Sequence, residues 1–168
     1  MRCQESGLLV HHPLKYLLMK KIIVFASLSL FFLNCKSTKQ VTAIEGVDFV
    51  PSDNLTDVLE MAASKDKLVF VDFYTTWCLP CKLMDEDVFT DKNLGNFMND
   101  NFISYKIDAE KGNGPNLALL YQVNVFPTLL FLDERGRVVV RKEGAAYQTE
   151  LRSLAEEAMA NVEENVGD

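Results

Sequence analysis

The run Leu68 to Tyr74 (LVFVDFY) constrains this chain more than any other stretch, because its β-forming, nearly continuous apolar residues must be covered on both faces. A strand of that kind belongs in the interior of a sheet, so the sequence around it has to supply helices for either side. It does so at once. From Asn54, the apolar residues Leu55, Val58, Leu59 and Ala62 recur at the i, i+3, i+4, i+7 spacing of an amphipathic helix. Asp72 alone interrupts the strand, and a carboxylate in such a place needs a reason.

After a short turn through Thr75 and Thr76 comes Trp77, then Cys78-Leu79-Pro80-Cys81. Cys78 opens a predicted helix whose first turn contains Pro80, where a missing N–H costs nothing, and whose inner face carries Cys81, Met84 and Val88. A helical piece around Leu94, Phe97 and Met98 leads to a strand from Phe102 to Asp108. Gly112-Asn113-Gly114-Pro115 then reads as a turn into a helix over Leu117 to Tyr121. Thr128 to Leu132 and Arg137 to Arg141, joined through Asp133-Glu134-Arg135-Gly136, form a predicted antiparallel hairpin. A last amphipathic helix runs through Leu151, Leu154, Ala155, Ala158 and Val162. The order α, β, α, β, α, β, β, α predicts an α/β fold with a central mixed sheet flanked by helices on both faces. No internal repeat is present.

Two cysteines three apart at a helix start lie on nearly the same side and can close a small disulfide ring. Cys78 stands at the positive end of the helix, where free N–H groups and the dipole favour a thiolate and draw its pKa from about 8.5 towards roughly 7. It is predicted to be an exposed nucleophile. Cys81, one turn in and facing the core, is the resolving thiol that attacks the resulting mixed disulfide. A loop this short gains little from a purely structural bridge. Histidine usage narrows the chemistry further, since His11 and His12 are the only two and both precede Met19. Without them the domain lacks a Cys-His nucleophile pair or a Cys2His2 metal site, and no metal or cofactor is expected.

Trp77-Cys78-Leu79-Pro80-Cys81-Lys82 after a strand resembles the W-C-x-P-C-K signature of the thioredoxin superfamily. Asp72, six residues before Cys78, falls where that family has a buried acid that accepts the resolving cysteine's proton. Val125-Phe126-Pro127-Thr128 falls at its cis-proline, and Gly144-Ala145 matches a small-residue pair before the last helix. The likeness covers about Val47 to Val162 and implies a thioredoxin-like fold and substrate contacts at Trp77, Pro80, Phe126 and Pro127. Burial would raise the pKa of Asp72, as a proton acceptor requires, although a core carboxylate held only by hydrogen bonds is the competing reading. Pro127 withholds a ladder N–H at a strand start, and a cis bond there would leave the Phe126 backbone open to a substrate strand. An ordinary trans proline is the alternative. Where the family places a Lys near the buried acid, this chain has Ser104, with Lys106 two residues on as the candidate substitute.

Leu79-Pro80 carries no His to stabilise the thiolate, so the resemblance implies a reducing couple, nearer roughly −270 mV than about −180 mV. The function expected is protein-disulfide reduction in the cell envelope, with protein thiols or disulfides as substrates. A disulfide isomerase, or a non-catalytic module using the same groove, are the alternatives.

The envelope enters through the N-terminus. Met19-Lys20-Lys21 followed by an apolar stretch from Ile22 to Leu33 has the build of a secretory signal, too short for a comfortable membrane span. Residues 1–18 then read as an upstream extension and 19–34 as the signal. Leu30-Phe31-Phe32-Leu33-Asn34-Cys35 resembles a bacterial lipoprotein processing site, with Phe32 and Asn34 departing from it; this implies lipidation at Cys35. A plain signal or an uncleaved anchor is the alternative. Polar residues 35–46 read as a tether to a domain over 47–165. A lipid-anchored reductase in an oxidising compartment needs a membrane thiol-reducing electron donor. From Cys35 onward 13 Lys and Arg stand against 23 Asp and Glu, a net charge of −10, which disfavours nucleic acid as a partner.

Overall fold

The computed structural model describes residues 46–166; the segments 1–18, 19–34 and most of 35–46, with Cys3, His11, His12 and Cys35, lie outside the described residues. Its elements are α1 (Leu55–Ser64), β1 (Leu68–Tyr74), α2 (Leu79–Leu83), a π-helical turn (Met84–Val88), α3 (Lys92–Asn101), β2 (Phe102–Asp108), α4 (Gly114–Leu120), β3 (Thr128–Leu132), β4 (Val138–Glu143) and α5 (Gln148–Val166). The sheet order is β2-β1-β3-β4. β1 pairs parallel with β2 and antiparallel with β3, and β3 pairs antiparallel with β4, so the sheet is mixed as predicted. Phe49 adds a single parallel bridge to Ser104 on the outer edge of β2.

Alternation along β1 divides the core in two. Val69, Val71 and Phe73 pack with Leu55, Val58 and Ala62 of α1 and Leu117 of α4. Phe70 packs on the other face with Met84 and Val88 of the π turn, Leu94 and Met98 of α3, and Leu151, Ala155 and Ala158 of α5. Asp72 shares the parity of Phe70, so it faces the layer built by the helix that carries the cysteines. Between them the two layers bury β1 from Val69 to Phe73, which is why its apolar run is nearly continuous.

Local signals set the element ends. The Asn54 side chain caps α1 by accepting from the Thr56 N–H at 3.0 Å, and Asp91 caps α3 by accepting from the Leu94 N–H at 2.7 Å. In the hairpin turn, Asp133 Oδ1 accepts from the N–H groups of Arg135 and Arg137, each at 2.9 Å, and Oδ2 pairs with Arg137 Nε at 2.6 Å. Burial opposes ionisation of that carboxyl, but these bonds prevail and hold its pKa below the usual range.

Boundaries differ from the sequence reading in three places. β4 begins and ends later, at Val138–Glu143, because the turn consumes Arg137 through its bond to Asp133. α4 starts at Gly114, earlier than Leu117, since Pro115 suits a first helical turn. The helix after Cys81 is not uniform: at Met84–Val88 it widens, with the Phe89 N–H donating to the Met84 carbonyl at 2.9 Å.

Candidate active site

The parallel pairing of β1 and β2 brings their C-terminal ends side by side, and the site is built at that edge. The Ala109 N–H donates to the Tyr74 carbonyl at 2.9 Å, extending the ladder one step and laying the loop after β2 against the loop that carries Trp77. Cys78 is the N-cap of α2. Its Sγ accepts from the Cys81 N–H at 3.2 Å, so a free donor of the helix end points at this sulfur. The two cysteines form a disulfide with Cα atoms 5.3 Å apart.

The exposed nucleophile predicted from the position of Cys78 requires correction: in the disulfide form Cys78 is buried, at 3% exposure, beside Cys81 at 2%. Position at a helix end fixes the direction of the dipole but not the accessibility of the sulfur, which here is turned onto its partner and its own helix. The neighbours Trp77 and Leu79, each 65% exposed, form the rim instead. Pro80 is exposed as well.

Opposite them, the Phe126–Pro127 peptide is cis. Pro127 is buried, and its carbonyl accepts from the Gly144 N–H at 2.8 Å. Gly144 has φ +83°, so the small-residue position read from the sequence is a backbone requirement. Among the described residues neither the N–H nor the C=O of Phe126 makes a backbone hydrogen bond. The Phe126 ring meets Trp77 edge to face, with centroids 6.1 Å apart. Trp77, the residue before Cys78, is therefore brought together with Phe126 and its cis-bonded neighbour Pro127.

Asp72 is 1% exposed, and Lys106 lies directly across from it in the β1–β2 register. The Lys106 ammonium donates to Asp72 Oδ2 at 2.8 Å and to Asp85 of the π turn. It also sits over the rings of Phe49, Tyr74 and Phe89, 4.9–5.1 Å from their centroids. Burial pushes the Asp72 carboxyl above its ordinary value, although the Lys106 charge pulls the other way. Burial works against the Lys106 charge, but Asp72 and Asp85 outweigh it and raise its pKa. Asp72 Oδ1 is buried with no hydrogen-bond partner among the described residues, as is the hydroxyl of Ser104. The substitute cation suggested from sequence thus reaches the buried acid from a different strand position than the family's.

Two residues of the site escape sequence reasoning. Asp85 is exposed and lies within an acidic stretch, indistinguishable there from Glu86 and Asp87. Glu110 accepts from the Trp77 indole N–H, 3.1 Å from each carboxylate oxygen. Its signal was indirect: parallel strands force the loop after β2 beside the loop after β1.

A family model for a thioredoxin-like domain matches residues 55–159. The chain is 37% identical over 92 residues to a thioredoxin-like protein of Synechocystis sp., spanning 55% of this chain and 82% of that one. It is 29% identical over 103 residues to the thiol:disulfide interchange protein DsbD of Yersinia pestis, spanning 60% of this chain but 17% of that much longer protein. Among solved structures, a candidate disulphide-isomerase from Bacteroides thetaiotaomicron superposes with a TM-score of 0.59 at 38% identity, covering 71% of this chain and 95% of the other. The chain belongs to the thioredoxin-like family of protein-disulfide oxidoreductases, and it carries a Cys-x-x-Cys pair, Cys78 and Cys81.

Proposed function

We propose that this member of the thioredoxin-like family is a protein-disulfide reductase of the bacterial cell envelope, working through the dithiol form of Cys78 and Cys81. The observation that carries the reading is the Cys78–Cys81 pair at the start of α2: Cys78 Sγ lies on the Cys81 N–H, which marks it as the attacking sulfur, and Leu79-Pro80 between the two adds no charge that would stabilise the thiolate further and make the couple oxidising.

The Cys78 thiolate attacks one sulfur of a substrate disulfide, forming a mixed disulfide and expelling the other substrate sulfur as a thiolate. Cys81 gives its proton to Asp72, and its thiolate attacks Cys78 Sγ. That breaks the mixed disulfide, forms the Cys78–Cys81 bond and releases the second substrate thiolate. Two electrons pass from the dithiol to the substrate. The Phe126 backbone supplies an unpaired edge for an extended substrate segment, flanked by Trp77, Pro80 and Pro127. A membrane thiol-reducing donor would return the pair to the dithiol, and lipidation at Cys35 would hold the protein at the membrane where that donor works.

Insulin-disulfide reduction by the full chain tests the activity, and equilibration with glutathione tests its direction. A potential near roughly −270 mV supports the reductase; one at or above about −180 mV contradicts it. The latter result is what a disulfide isomerase would give, a second reading favoured by the 38% identity to the Bacteroides thetaiotaomicron protein. Mass spectrometry of the N-terminal peptide from native membranes tests the anchor, an acylated Cys35 supporting it and an unmodified one contradicting it.

A further inference from the structure

The end of β2 and the loop that follows carry three charged residues, Asp108, Glu110 and Lys111, whose partners differ. Asp108 and Lys111 pair with each other at 2.7 Å. That contact, with burial opposing it, lowers the Asp108 pKa. Lys111 thus gives its hydrogen bond to Asp108, although its charge also acts on Glu110. Glu110 is instead exposed, and its side chain turns towards the groove onto the indole N–H of Trp77. A single neutral N–H shared between two oxygens neutralises no charge and leaves most of the carboxylate's acceptor capacity free. Trp77 is the residue before Cys78 and touches Phe126 across the groove. Lys82, the exposed cation of the motif, directly follows Cys81 in the five-residue α2, and among the described residues Glu110 has no bond to it.

We propose that Glu110 is a specificity-determining residue: its charge, latched to Trp77 on the groove rim, selects substrate segments carrying a basic residue beside the target cysteine and disfavours acidic ones. The inference rests on the oxidoreductase reading above. An exposed charge held at the rim of the groove attracts a substrate charge a few ångströms away, and that attraction is screened by salt.

Two short disulfide-bridged peptides, identical except for Lys or Glu next to the cysteine, test it with the full chain. The expected preference in kcat/KM for the Lys peptide is about fivefold at low salt, falling towards one as salt shortens the reach of the charge. Glu110→Gln keeps a hydrogen-bond acceptor for the indole but removes the charge, whereas Glu110→Ala removes both. The emission of Trp77, the one tryptophan of the sequence, reports whether the ring stays in place. The inference predicts that both variants lose the preference. It is overturned if the wild type shows none, if both variants keep it, or if only Glu110→Ala loses it, since Glu110 would then act solely by holding Trp77. Turnover of neither peptide by the wild type contradicts the oxidoreductase reading itself, and the inference falls with it.

Discussion

Lys106 reaches Asp72 from the residue directly paired with it on the neighbouring strand, 2.8 Å from ammonium to carboxylate, while its second bond leads out to Asp85 at the surface. The buried acid is therefore linked to solvent through one lysine. That arrangement lets a carboxyl raised by burial still ionise, because removing the proton leaves a charge with a partner already in place.

Replacing Lys106 with Met should take that partner away and leave Asp72 protonated to higher pH than in the wild type. If Asp72 accepts the Cys81 proton, the pH profile of insulin reduction should move to higher pH, with a loss of about tenfold in rate at pH 7. Lys106→Arg should restore part of it. An unchanged profile in Lys106→Met would mean that the ion pair serves the core alone.

Asp72 should also imprint the pH dependence of stability. Burial raises its folded pKa above the unfolded value of about 3.9, so the folded protein binds this proton more tightly. Stability should then increase as pH falls from above the folded pKa towards the unfolded one, and level off below both. Asp72→Asn lacks that proton. In urea titrations of the oxidised protein, its stability relative to wild type should be greatest at high pH and decline on acidification; a difference independent of pH would contradict the shift.

At the far side of the same layer, Gly95 of α3 packs against the backbone of Gly46. A Cβ at position 95 would fall 2.3 Å from the Gly46 carbonyl carbon and oxygen, neither of which can rotate away. Gly95→Ala should therefore cost about 1–3 kcal/mol in urea unfolding, as overpacking does. A change within experimental error would show that the segment before α1 shifts freely.

Much of this architecture was legible because several signals agreed. The unbroken run of β1 demanded cover on both faces, the spacing from Leu55 to Ala62 supplied one helix, and Cys81, Met84 and Val88 supplied another. What stayed hidden depends on register and local hydrogen bonding. The π turn at Met84–Val88 differs from an α-helix only in which carbonyl accepts the Phe89 N–H, and residue type does not encode that choice. The role of Lys106 follows from its pairing opposite Asp72, which two separate strands reveal only once aligned. The burial of Cys78 is not encoded in its place at a helix start, because helix position speaks to charge and not to accessibility. Glu110 looked like one more surface acid until the adjoining loops were joined through Ala109 and Tyr74.

The assignment of an attacking Cys78 and a resolving Cys81 is tested most directly by trapping. Cys81→Ala, expressed as the full chain, should accumulate covalent mixed disulfides with protein substrates that run as higher bands on non-reducing gels and disappear with reductant. Peptide mapping should place every cross-link at Cys78, and Cys78→Ala should form none. Cross-links through Cys81 in the Cys78→Ala protein, or no adducts in Cys81→Ala, would contradict the account.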